Sequence, residues 1–199
     1  MKLVALIFQE EGRTALVTGT GLGADRVAAE TKVTEPEMAK AVLKEIDQRA
    51  KKAGIKLEDL VIVFKDQYGK TRLKQARDMT ASKGAKRGSF WGLLVGLLLG
   101  GPIGGLLGGM ALGAIYGKKV DHGLDDEFIK NTAQALQQGE SAVLVLLKPE
   151  DYESSIAFLR SFDTRIYEAE FSSENEAAVL KAAEDESVQQ AIKTEFGGE

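Results

Sequence analysis

Ten glycines in one apolar segment of the chain form two runs of four-residue spacing, which meet at Gly100 and Gly101. The segment, GAKRGSFWGLLVGLLLGGPIGGLLGGMALGAIYG, spans residues 84–117 and carries no charge after Arg87. Each glycine costs a helix roughly 1 kcal/mol relative to alanine. Residues four apart share one helix face, where glycine lets a neighbouring backbone come close. The register therefore predicts close helix packing and oligomerisation through Gly84, Gly88, Gly92, Gly96, Gly100, Gly101, Gly105, Gly109, Gly113 and Gly117.

The centre of this segment favours a turn. Gly100, Gly101 and Pro102 interrupt the helical pattern, because proline lacks the N–H that a helix needs. Each half has about 11–16 residues, or roughly 16–24 Å of helix, and a bilayer core is ~30 Å thick. Cationic residues flank both ends, which favours both ends on one side of a membrane. We therefore expect a helical hairpin over 84–119 rather than one long membrane-spanning helix. A buried helical pair in a soluble assembly is the alternative.

The flanks of the hairpin have the composition of a membrane interface. Basic side chains are attracted to anionic headgroups, and aromatic side chains suit the headgroup boundary. The residues expected there are Lys83, Lys86, Arg87, Phe90, Trp91, Tyr116, Lys118 and Lys119. Leu93 and Leu97, on the face opposite the glycines, are expected to contact lipid or a protein partner.

The rest of the chain predicts an α+β fold. Strands are expected at 2–8, 13–19, 57–66, 70–78, 141–148 and 164–171, and helices at 36–54, 121–140, 149–162 and 172–196. We expect a ferredoxin-like sandwich with an inserted glycine-zipper helical hairpin. Its first part is 1–83, the hairpin is 84–119, and the remainder is 120–199. The last helix is acidic and solvated, with Ser173 and Glu176 as a capping box.

Composition excludes several kinds of chemistry. The 199 residues include no cysteine, so disulfides and thiol catalysis are excluded. A net charge of −4 argues against nucleic acid as a partner. His122 is the one histidine, and the acids around it in DHGLDD are better explained as caps of the next helix than as metal ligands. We therefore predict no catalytic residue, metal, cofactor or small-molecule substrate. The N-terminal segment lacks the features of a signal peptide, which indicates the cytoplasm.

One glycine loop allows a different function. Gly19, Gly21 and Ala24 fit the spacing of a dinucleotide-binding loop after a strand. The crossover helix and the acidic residue that such a site needs are missing, because Pro36 follows soon and Glu45 and Asp47 lie inside a helix. A nucleotide-binding module is therefore the less favoured alternative.

The middle of the chain also resembles a known bacterial family. A strand, a tight turn, an FWG-containing glycine segment, an acidic helix start and a second strand follow one another in the order found in domain of unknown function 1269. The equivalents here are residues 57–63, 68–70, 88–92, 121–129 and 139–143. The resemblance implies a small protein that is usually labelled membrane-associated, and it brings no catalytic residues.

We therefore expect a non-enzymatic protein that assembles with copies of itself through the hairpin. We expect it on the cytoplasmic side of the inner membrane, as a peripheral or monotopic protein with lipid as a second partner. A soluble ring-like or shell-like multimer, with hairpins packed on each other, is the alternative.

Overall fold

Helices and strands are interspersed along the described part of the chain. A computed structural model describes residues 1–9, 35–57, 59–66, 68–75, 81–99, 124, 126–137 and 140–196; over 81–87 it describes the backbone. A short 3-10 turn, Pro149–Asp151, precedes one of the helices. In chain order the elements are β1 (Lys2–Phe8), α1 (Glu35–Lys52), β2 (Asp59–Lys65), β3 (Thr71–Gln75), α2 (Ala81–Leu99), α3 (Asp126–Gln137), β4 (Ser141–Leu147), α4 (Tyr152–Leu159), β5 (Arg165–Glu170), α5 (Ser173–Ala182) and α6 (Glu186–Phe196).

The five strands form one antiparallel sheet in the order β3–β2–β4–β1–β5. Ala5 in the centre of β1 lies opposite Leu144 of β4 on one side and Tyr167 of β5 on the other. The predicted mixture of helices with a sheet is confirmed. Both edges of β1 are occupied by neighbouring strands. The strand predicted at 13–19 lies outside the described residues.

Helices cover both faces of the sheet, which explains why β1 and β4 are apolar without alternation. Val4 and Leu6 belong to a core that includes side chains of α1 and α4. Leu3 and Ala5 belong to a second core, on the opposite face, that includes side chains of α2 and α3. Helices α5 and α6 contribute to a third cluster with α2. The glycine helix α2 is therefore packed between the sheet and the two C-terminal helices.

A glycine and two backbone hydrogen bonds end helix α1. Gly54 has a positive φ of 70°, which glycine adopts without strain. The Ile55 N–H donates to the Ala50 carbonyl at 2.8 Å, and the Gly54 N–H donates to the Lys51 carbonyl at 3.1 Å. These two bonds satisfy carbonyls that the end of the helix would otherwise leave unpaired.

The C-terminal region corrects two predictions. Residues 172–196 form two helices rather than one, because Asp185 Oδ1 accepts from the Ser187 N–H at 2.8 Å and caps a new helix. The capping box at Ser173 is also wrong by one residue. The Ser172 hydroxyl caps α5 by accepting from the Asn175 N–H at 3.1 Å, so the first of two adjacent serines is the cap.

Candidate interaction surface of the glycine helix

Helix α2 carries the first four glycines of the register. Its backbone is helical from Ala81 to Leu99, so Gly84, Gly88, Gly92 and Gly96 follow one another along its face. The first half of the predicted hairpin is thus a helix. The predicted turn at Gly100, Gly101 and Pro102 and the second half of the hairpin lie outside the described residues.

One side of α2 packs against the sheet. Phe90 and Trp91 are both fully buried there, with Leu94, Val95 and Leu98 beside them in the same core. The Phe90 ring meets the Trp91 ring edge-on, with centroids 5.5 Å apart, and the Phe171 ring at 6.3 Å. The contact with Phe171, which directly follows β5, joins α2 to the edge of the sheet.

Phe90 and Trp91, which the sequence predicts at a membrane interface, are buried in the described conformation. Each ring has a relative exposure of 0%, so in this conformation neither has surface available to lipid. The Trp91 Nε1–H has no hydrogen-bond partner among the described residues, and the same holds for the buried Thr132 hydroxyl. Both aromatic residues therefore belong to the hydrophobic core of the chain.

The C-terminal helices cover Leu93 and Leu97 as well as Gly92, so these leucines do not lie on a separate face opposite the glycines as expected. Leu93, expected to contact lipid or a partner, is 1% exposed and clusters with Ala182, Ala183 and Val188. Leu97 is partly buried against the same cluster. The partner of this face, within one chain, is the pair of helices α5 and α6.

Two glycines of α2 have different surroundings. A β-carbon placed on Gly92 would lie 2.6 Å from the Cγ2 atom of Ile192 in α6, closer than real β-carbons approach any atom. A β-carbon placed on Gly88 would meet no atom of the described residues within 4 Å. Gly92 is therefore required for the close approach of α6, whereas the described residues leave Gly88, one turn earlier, uncovered.

Two pairs of side chains at β5 include titratable groups with shifted pKa values. The Tyr152 hydroxyl donates to the Glu168 carboxylate, which raises the pKa of Tyr152, and its partial burial adds to this. Lys2 pairs with Glu170; this hydrogen bond lowers the pKa of the carboxyl and raises that of the ammonium. Both pairs involve β5, at one edge of the sheet, where they act as structural contacts.

The described residues contain no group of three or more His, Asp or Glu side chains placed to hold a metal ion. His122 and the glycine loop at Gly19, Gly21 and Ala24 lie outside these residues. Among the helices that the structure describes, none combines the length and the apolar character needed to cross a membrane. The arrangement around α2 thus offers surfaces for helix packing.

Several predicted site residues cannot be located on this surface. The side chains of Lys83, Lys86 and Arg87, and all of Tyr116, Lys118 and Lys119, lie outside the described residues. The same holds for Gly105, Gly109, Gly113 and Gly117. Conversely, the sequence reasoning missed Val188 and Ile192 of α6. Their spacing of four residues, with Ala191 between them, is the amphipathic signal that indicates a packed face within an acidic helix.

Fold and surface together define a mixed helix–sheet protein whose glycine-register helix is enclosed by its own C-terminal helices. A family model described as "Protein of unknown function (DUF1269)" matches residues 85–184. The chain belongs to this family, which confirms the resemblance noted in its sequence, and the match reaches beyond the expected strand into α5. No curated protein and no solved structure matches the chain.

Proposed function

We propose that this protein is a non-enzymatic, self-associating protein that packs copies of itself through its glycine-register segment at a membrane surface. Its proposed location is the cytoplasmic side of the inner membrane, as a peripheral or monotopic protein. The proposed partners are further copies of the chain and anionic lipid.

The strand order supports a ferredoxin-like core for this assembly. Strands β2–β4–β1–β5 are neighbours in that order, with α1 between β1 and β2 and α4 between β4 and β5 along the chain. Two such β–α–β units in one antiparallel sheet are the ferredoxin-like pattern. Strand β3 then extends the edge beside β2, and the proposed glycine-zipper hairpin lies in the connection from β3 to α3.

The difference between Gly92 and Gly88 is the observation that carries the proposal. At Gly92 the register already receives the Ile192 side chain of α6, which occupies the space that a β-carbon would need. At Gly88 the described residues leave the same face uncovered. Small residues spaced by four favour helix pairing, because the backbones approach closely and gain dispersion contacts. The open part of the face is therefore suited to a helix from a second copy.

The basic sequence before the apolar segment supports the membrane surface as the location. Lys83, Lys86 and Arg87 directly precede it, and Lys118 and Lys119 directly follow it. Basic clusters next to apolar segments are attracted to anionic leaflets. The second candidate is a soluble ring-like or shell-like multimer, which the glycine register supports equally well without lipid.

Sizing of the purified full chain, with and without detergent, tests the proposal. We expect an oligomer in both conditions if copies pack through the glycine face. An oligomer that forms without detergent and does not bind anionic vesicles would favour the soluble multimer. A monomer in every condition would contradict self-association.

A further inference from the structure

Several hydrogen bonds hold the tip of the hairpin between β2 and β3. The tip comprises residues 66–70, of which the structure describes all but 67. Asp66 Oδ1 accepts from the backbone N–H groups of Tyr68 and Lys70, each at 2.9 Å. Asp66 Oδ2 accepts from Arg72 Nε at 2.8 Å. One carboxylate therefore fixes both the turn and the strand that leaves it.

The backbone of the tip adds two further bonds. The Asp66 N–H donates to the Lys70 carbonyl, and the Gly69 N–H donates to the Asp66 carbonyl, each at 2.9 Å. Gly69 has a φ of 73°, in the left-handed region where glycine is favoured. The tip is therefore preorganised, so little conformational entropy is lost when it binds a partner.

This rigid tip presents an exposed aromatic side chain. Tyr68 is 77% exposed, and within the described residues it is the one large hydrophobic side chain with high exposure. Nothing in the fold requires a tyrosine there, because the turn is held by its backbone and by Asp66. Tyrosine has an apolar ring and a polar hydroxyl, which suits a boundary between water and an apolar phase.

The charges around Tyr68 are cationic. Lys70 and Lys74 are exposed, and Lys65 is half-buried at the end of β2. Asp66 is the acid between Lys65 and Arg72, and Arg72 pairs with it directly. These lysines favour a negatively charged partner over a cationic one at this tip.

We infer that the tip of the β2–β3 hairpin is a lipid-contact site, at which Tyr68 enters the headgroup region of an anionic membrane and Lys65 and Lys70 contact the headgroups. The inference rests on the proposed membrane association and is independent of helix packing at Gly88. It also replaces the role expected of Phe90 and Trp91, whose rings are enclosed in the core.

The contact is weak for one chain and strong for an assembly. Each lysine close to an anionic leaflet strengthens binding by about fivefold. Burial of on the order of 50 Å² of the Tyr68 ring adds roughly tenfold. When several copies are joined, their tips bind one surface together, and the avidity exceeds the affinity of a single tip.

Vesicle co-sedimentation of the full chain tests this inference. The two vesicle types are pure phosphatidylcholine and equal parts phosphatidylcholine and phosphatidylglycerol. We expect binding to the anionic vesicles alone. Tyr68→Ser should weaken it by roughly tenfold and Lys70→Gln by about fivefold per chain. Lys181→Gln, a change at an exposed lysine of the acidic helix α5, is the matched control and should leave binding unchanged.

Several results would overturn the inference. They are equal binding to both vesicle types, no binding by the wild-type chain, and anionic binding that Tyr68→Ser leaves intact. Circular dichroism of each variant separates lost binding from lost fold, and the exposure of Tyr68 predicts an intact fold. Sizing in the absence of vesicles is scored separately. An oligomer that does not bind anionic vesicles would therefore overturn the lipid site and leave self-association in place.

Discussion

Ile192 of α6 fills the space that a side chain on Gly92 of α2 would need. Its Cγ2 atom lies 2.6 Å from the position of a β-carbon on that glycine. The glycine register is thus used at least once inside a single chain. This contact links the C-terminal helices to the apolar segment. It also means that a side chain at Gly92 would overlap Ile192, whereas one at Gly88 would not.

Gly92→Ala should destabilise the fold. The added methyl group must displace Ile192 or α6, and overpacking of this kind outweighs the gain in helix propensity. We expect the free energy of unfolding to fall by about 1–2 kcal/mol. Urea denaturation measures it. Ile192→Ala combined with Gly92→Ala should cost less than the sum of the single changes, since the shortened side chain makes room for the methyl group.

Gly88→Ala is the matched change on the same helix face. No atom of the described residues lies within 4 Å of its new β-carbon, so the helix propensity of alanine acts unopposed. We expect the free energy of unfolding to rise by about 0.5–1 kcal/mol. Equal destabilisation by the two alanines would contradict the packing described for α2 and α6.

The sequence predicted most of the helices and strands, but not which of them pack against each other. The strands 2–8 and 141–148 were clear because each contains six successive apolar residues, which are buried on both sheet faces. The split at Asp185 was missed because capping competes with a continuous helical pattern. The burial of Phe90 and Trp91 was missed for a different reason. Apolar surface suits lipid and a sheet equally, so which one covers it depends on tertiary packing that local periodicity does not encode.

Trp91 provides a direct test of where α2 lies. It is the single tryptophan of the chain and is fully buried against the sheet. We expect its fluorescence emission to be that of an apolar environment in the folded protein, and brominated lipid in anionic vesicles should not quench it. Strong quenching in the folded protein would instead place Trp91 in lipid.

We expect the β2–β3 hairpin to lose stability in acid, because protonation of Asp66 weakens the hydrogen bonds that its carboxylate accepts. Partial desolvation acts to raise the pKa of Asp66, but the bonds from Arg72 and from the Lys70 and Tyr68 N–H groups together lower it. The contribution of Asp66 is therefore complete above about pH 4, the ordinary range of aspartate, and is lost as the pH falls through the lower folded pKa. Urea midpoints measured across this range should fall less steeply for Asp66→Asn than for the wild type.

We expect the hydrogen bond between Tyr152 and Glu168 to be lost in alkali, when the phenol loses its proton. Its bond to Glu168, and then its burial, raise the pKa of the phenol. The stability from this pair is complete below about pH 10 and is lost as the pH rises through the raised folded pKa. We expect Tyr152→Phe to cost about 1 kcal/mol at neutral pH. In an ultraviolet titration, the same change should remove a late-titrating tyrosine; an unaltered titration curve would contradict the assigned pKa.

The native mass of the wild-type chain, measured beside that of Gly88→Leu, tests the central claim most directly. A leucine at this open position leaves the contact between Gly92 and Ile192 unchanged but obstructs a helix from a second copy. We expect an oligomeric wild type and a folded Gly88→Leu chain of lower mass. A monomeric wild type, or a variant that keeps the full oligomer, would contradict self-association through the glycine face.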